Sequence, residues 1–193
     1  MIGGTTSPAI AHFRVVHENR MIPDDPAVQA FGLIWRFSDA QKYTQLSEAE
    51  FGRFRPLSES EALKLWAQFV SPDASPGHRH LRELYVQRLI KWPEVASFTS
   101  ESKDDEMNVV TNLQREILAS DSTEAIFFWH AETAVRTDWR LFLDHWDDFC
   151  YPSDDSNILV LPTVGRTVVY MEERWYVLDR LVMASASEAR RAR

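Results

Sequence analysis

Apolar positions recur along this chain in several rhythms, and each rhythm predicts a different element. Phe31, Leu33, Trp35 and Phe37 fall on every second residue, the period of a half-buried strand, after a turn at Pro23-Asp24-Asp25-Pro26. The stretch His12–His17 reads as a short strand before it. The middle changes to helical spacing. Ser47 with Glu50, and Ser58 with Glu61, each match a capping box, in which serine and glutamate satisfy each other's orphan amides. After the second box Ala62, Leu63, Leu65, Trp66, Phe69 and Val70 form a stripe that Ser71-Pro72 ends. His80–Trp92 repeats the pattern with Leu81, Leu84, Tyr85, Arg88 and Leu89, and Pro93 as its stop. Asp104–Leu118 does so with Val109, Val110, Leu113 and Ile117, its acidic first turn favoured at the positive helix end.

The last third returns to strands. Ala125–His130 is a continuous apolar run of buried-strand type. Asn157–Leu161 and Thr167–Glu172 flank Gly165 as a hairpin, and Trp175–Leu178 supplies one more strand. Between them Thr137–Phe149 reads as a helix capped by Thr137. At about 100° per residue, Trp139, Phe142, Leu143, Trp146 and Phe149 share one face, which is core. Arg140, Leu141, Asp144, Asp147 and Asp148 fall opposite. The expected fold is α+β, a helical middle packed on a small, mostly antiparallel sheet from the C-terminal third, with roughly 3–4 strands and 4–5 helices. Residues 1–183 form one domain and 184–193 a frayed basic tail.

Charge sharpens this picture. The chain carries a net −8, and it is not spread evenly. Residues 101–160 hold 14 acids against 4 bases, residues 1–100 balance at 11 and 11, and residues 161–193 hold 4 acids and 6 bases. An acidic chain with no basic stripe is unsuited to phosphate backbones, so no nucleic-acid role is expected. No run approaches the length of a membrane helix, and the start has no secretory leader pattern. The single cysteine, Cys150, excludes an internal disulfide and a cysteine zinc cluster, and a cytoplasmic location follows as the expectation.

The acids concentrate at the end of the predicted helix. Asp147 and Asp148 occupy its last turn, where the helix dipole disfavours anions, and Asp154 and Asp155 follow after Tyr151. Three readings stand open: turn structure, since aspartates bond nearby amides; a hard-cation site, although the spacing is not that of an EF-hand; or a surface for a basic partner. In the last case Leu141, Asp144, Asp147, Asp148, Tyr151, Asp154 and Asp155 form the patch, and Glu172 and Glu173 beside Trp175 extend it.

Other candidate chemistry is thin. His130-Ala131-Glu132 lacks the cysteine pair that a zinc deaminase needs. His78 and His80 form an ordinary exposed loop pair. Cys150 and His145 stand far apart in direction on a helix, and a buried thiol is the expected role. No phosphate loop, nucleophile elbow or zinc-protease helix motif is present. The expectation is a chain without catalytic residues, cofactor or resident metal.

The run Trp139–Asn157, with Trp-Asp-Asp-Phe-Cys-Tyr-Pro-Ser-Asp-Asp-Ser-Asn from Trp146 onward, followed by a strand, a turn and a strand to Trp175, resembles bacterial immunity proteins encoded beside polymorphic toxins. The resemblance covers Thr123–Arg180. It implies a non-catalytic inhibitor whose partner is a cognate toxin domain, blocked at its active site. Two alternatives remain: a regulatory interaction module unrelated to toxins, and a divalent-metal-dependent hydrolase using the aspartate cluster.

Overall fold

The computed structural model describes residues 25–38, 45–70, 96–99, 102–151, 153–154, 156–171 and 173–179. The predicted strand His12–His17, the helix His80–Trp92, the pair His78 and His80, and the tail 184–193 lie outside them, as do Asp155 and Glu172. The fold is α+β, as the hydrophobic pattern predicts. Among the described residues seven strands form one sheet in the order β1-β4-β3-β5-β6-β7-β2, every neighbouring pair antiparallel. The strands are β1 (Arg55–Pro56), β2 (Ala96–Thr99), β3 (Glu124–His130), β4 (Thr133–Asp138), β5 (Asn157–Leu161), β6 (Arg166–Met171) and β7 (Arg174–Asp179). The helices are α1 (Pro26–Gln29), α2 (Trp35–Ser38), α3 (Glu48–Phe51), α4 (Glu59–Phe69), α5 (Lys103–Glu116), α6 (Trp139–Asp144) and α7 (Trp146–Phe149).

The central strands are buried on both faces, so their apolar runs are continuous rather than alternating. Phe127, Trp129, Leu159, Val168 and Trp175 point to the face covered by α2, α5, α6 and α7. Ile126, Phe128, Ile158, Val160 and Val169 point to the opposite face, where α4 lays Ala62, Trp66, Phe69 and Val70. Trp66 meets Phe128 edge-on at 5.5 Å between ring centres. Burial of large aromatic and branched side chains on both sides of one sheet is the main stabilising term, at about 25 cal/mol per Å² of apolar surface.

Both capping boxes are present. The Ser47 hydroxyl accepts from the Glu50 amide at 3.3 Å while Glu50 accepts from the Ser47 amide at 2.8 Å. Ser58 and Glu61 repeat this at 3.3 and 3.1 Å. The β5–β6 turn has Gly165 at φ 70, a left-handed conformation that glycine adopts without a Cβ penalty.

Four expectations are corrected. The sheet has seven strands among the described residues rather than three or four, because β1, β2 and β4 are defined by their pairing with neighbours. Phe31–Phe37 is a turn leading into α2, not a strand: Arg36 N–H and Phe37 N–H donate to the carbonyls of Leu33 and Ile34, each at 3.0 Å. The alternation misleads because Arg36, a position it would leave in water, is buried beside Phe37. The helix predicted over Thr137–Phe149 is really a strand end followed by two short helices. Thr137 belongs to β4, and the cap is Asp138, whose carboxylate accepts from the Leu141 amide at 2.8 Å. The helix then breaks at His145, with φ −132 and ψ 26. Leu141, expected on the polar face, is fully buried. The segment around α3 runs along α6, with Arg53 bound to Asp138 at one end at 3.1 Å and Glu50 bound to His145 at the other at 3.0 Å. Leu141 shares one core cluster with Phe51 and Phe54 of that segment.

Candidate functional site

The aspartate-rich segment does not gather its carboxylates. Its described members face different surroundings. Asp144 is exposed and bound to Arg140 one helical turn earlier at 2.7 Å. Asp147 is exposed on α7. Asp148, expected on the solvated side, is buried and faces His145 Nδ1 at 3.6 Å. The helix breaks at His145, so one continuous wheel does not describe both sides of it, and Asp148 is buried while Asp147 stays exposed. Asp154 is turned inward. Its two oxygens take a bidentate pair of hydrogen bonds from Arg36, at 2.7 and 2.8 Å, the planar fork that a guanidinium offers a carboxylate.

Arg36 is the centre of this second cluster. It is 6% exposed, also donates to the Phe149 carbonyl at 3.4 Å, and lies 4.3 Å from the Tyr151 ring centre and 5.4 Å from that of Trp35. Asp154 accepts further from Asn157 Nδ2 at 2.9 Å and from the Tyr151 amide at 3.1 Å. Burial opposes its charge, but Arg36, Asn157 and the Tyr151 amide together hold its carboxyl below the usual carboxylate range. Tyr151 and Asp154 are therefore fastened to α2 across more than a hundred residues of sequence. Trp35 stacks on Tyr151 at 6.0 Å and 20° and remains 44% exposed.

A third group lies at the α6–α7 break. His145 is 5% exposed, with Nε2 on Glu50 Oε1 at 3.0 Å and Nδ1 towards Asp148. Burial opposes charge on the ring, yet the contacts with Asp148 and Glu50 outweigh it and hold His145 above the ordinary imidazole value. The Ser47 hydroxyl, then His145, hold the Glu50 carboxyl down at about 2. Cys150 is buried as expected. Burial, with the nearby Asp154 charge, pushes its thiol well above the ordinary value, which leaves it a poor nucleophile.

Glu173 sits half-buried in the β6–β7 turn at φ 58, its carbonyl accepting from the Thr99 hydroxyl at 3.4 Å. His130 and Glu132 lie at the β3–β4 turn, on the wall of a cleft of about 800 Å³ that Phe31, Leu33, Arg55 and Glu61 also line. No group of three or more His, Cys, Asp or Glu side chains among the described residues is placed to hold a metal ion. No helix among them is long and apolar enough to cross a membrane.

Sequence reasoning missed Trp35, Arg36 and Glu50. Arg36 carried a usable signal, as the sole charge inside the apolar run Phe31–Phe37. Glu50 gave none beyond its capping role.

A profile described as protein of unknown function DUF2947 matches residues 27–178, and the chain belongs to that family. No curated protein and no solved structure matches it.

Proposed function

We propose that this chain is a cytoplasmic immunity protein that binds a cognate bacterial toxin domain and occludes its active site. The observation that carries the reading is the exposed Trp35, held flat on Tyr151 above the Arg36–Asp154 pair. A rigid, half-exposed tryptophan is the side chain most often found at the energetic centre of a protein interface. It is pre-organised, so little side-chain freedom remains to be lost on binding. The α7 segment, which packs against α2 and leads directly into Tyr151, brings the exposed Asp147 to the same region, with Asp144 just before it on α6. An aromatic anchor with carboxylates around it suits a basic surface, such as the substrate groove of a toxin acting on nucleic acid or another anion. Leu141, Asp148 and Asp154 serve the fold beneath this face rather than contact.

The test is protection. Bacteria producing the cognate toxin domain should survive when they also make this chain, and the two proteins should co-elute. Trp35→Ala should weaken the complex by about 2 kcal/mol or more, roughly thirtyfold, while lowering the melting temperature far less than truncation of the fully buried Phe149. Absence of both protection and a micromolar complex would refute the reading.

A further inference from the structure

The split in the predicted helix coincides with a buried histidine between two carboxylates. We propose that Glu50, His145 and Asp148 form a pH-sensitive joint, in which the protonated ring clamps α3 on one side and α7 on the other and its neutral form releases the α7 side.

The geometry dictates this asymmetry. Glu50 Oε1 lies 3.0 Å from Nε2, and its other oxygen accepts from the Ser47 hydroxyl at 2.6 Å, so this carboxylate is fixed in place by α3 itself. Asp148 Oδ2 lies 3.6 Å from Nδ1, close enough for charge attraction and too long for a strong hydrogen bond. An imidazolium carries a proton on each nitrogen and can satisfy both acids. A neutral ring carries one. It stays with Glu50, the nearer acceptor, and a lone pair then faces the Asp148 carboxylate at a site only a few per cent exposed. Repulsion replaces attraction there, in surroundings that screen it poorly. Among the described residues, the charged groups that face the ring are Glu50 from α3 and Asp148 from α7, while Asp144 on α6 is exposed and bound to Arg140.

What moves is set by the backbone. His145 is at once the C-cap of α6 and the N-cap of α7, and it makes no side-chain cap bond to α7. The Asp148 contact is therefore what its ring adds to that four-residue helix. The sign follows from the raised imidazole: the clamp is complete below the ordinary histidine value and is lost as pH rises through the higher folded-state value. The joint is a property of the free protein. Only its consequence for binding, through Asp147 and Tyr151 next along the chain, rests on the function proposed above.

Isotope-labelled full-length protein tests it without a partner. Long-range proton–nitrogen spectra should show both His145 nitrogens protonated below the ordinary histidine value, with a midpoint above that of free histidine. Glu50→Gln and Asp148→Asn should each lower that midpoint by about one pH unit. Hydrogen exchange of the Trp146–Cys150 amides, corrected for the chemical rate, should rise several-fold above the midpoint while β3 stays protected. If Asp148→Asn fails to fold, Glu50→Gln and the wild-type titration still decide. A midpoint at or below that of free histidine, or equal protection of Trp146–Cys150 on both sides of it, overturns the proposal.

Discussion

Arg36 and Asp154 are the pair on which most of the loop geometry converges. Their side chains are 8% and 14% exposed, so removing one partner leaves the other charge in poorly solvated surroundings. Arg36→Met is expected to lower unfolding free energy by about 3–5 kcal/mol in urea titration. Arg36→Met combined with Asp154→Asn should cost less than the two single changes together, because the double variant strands no charge. A simple sum would show that the contact carries no coupling. Acid adds a second handle. The folded state holds both Glu50 and Asp154 below the usual carboxylate range, so their stabilisation is fully present above it and fades as pH falls towards about 2, the value for Glu50. The melting temperature should fall over that window, and Asp154→Asn should flatten the fall. None of this pairing was readable from local pattern, since 118 positions separate the partners.

At the scale of elements, legibility followed whether local chemistry and packing agree. The two capping boxes, the α4 stripe and the Gly165 hairpin depend on neighbours within a few residues, and each appears where its pattern predicts. The run from Thr137 to Phe149 did not, because its first residues pair with β3 and its middle is bent by contacts from α3. The two-residue β1 is defined by pairing with β4 and has no pattern of its own. Yet most of the aromatic face read from the helical wheel survives the break: Trp139, Phe142 and Phe149 are fully buried, while Trp146 is only partly so and packs edge-on to Trp175 at 5.6 Å. Their costs should differ accordingly. Phe149 sits among Phe37, Phe127 and Trp129, at 4.9, 5.0 and 5.9 Å, and its carbonyl accepts from the Trp129 indole at 3.0 Å. Phe149→Ala should therefore cost about 3–5 kcal/mol, and Trp146→Ala clearly less than a fully buried aromatic. The reverse order in denaturant titration would mean that α7 is turned about its axis.

Across the whole molecule the question is where the acidic excess of residues 101–160 ends up. Sequence spacing makes Asp147 and Asp148 a natural pair for charge reversal, but folding separates them, one to solvent and one to His145. Asp148→Lys would bury a cation beside His145, where Asp148 is 3% exposed, and report on unfolding rather than recognition. The informative variants are Asp147→Lys and Asp144→Asn, both exposed; the second gives up only a surface pair with Arg140, which solvent screens. Against the toxin domain, each should leave the melting temperature nearly unchanged. Carboxylates on the rim steer encounter, so Asp147→Lys should slow association and change dissociation little, whereas Trp35→Ala, at the anchor, should chiefly speed dissociation. Raising salt should slow the wild type towards the Asp147→Lys rate, because screening confines exposed charges to about 8 Å at physiological strength and less above it. Stopped-flow binding at low and high salt separates these effects. If Asp147→Lys associates at the wild-type rate at low salt while Trp35→Ala still dissociates faster, the partner docks through the aromatic pair without electrostatic steering. If neither rate changes, this face is not the interface, and the cleft beside β1 with Arg55, His130 and Glu132 becomes the region to mutate.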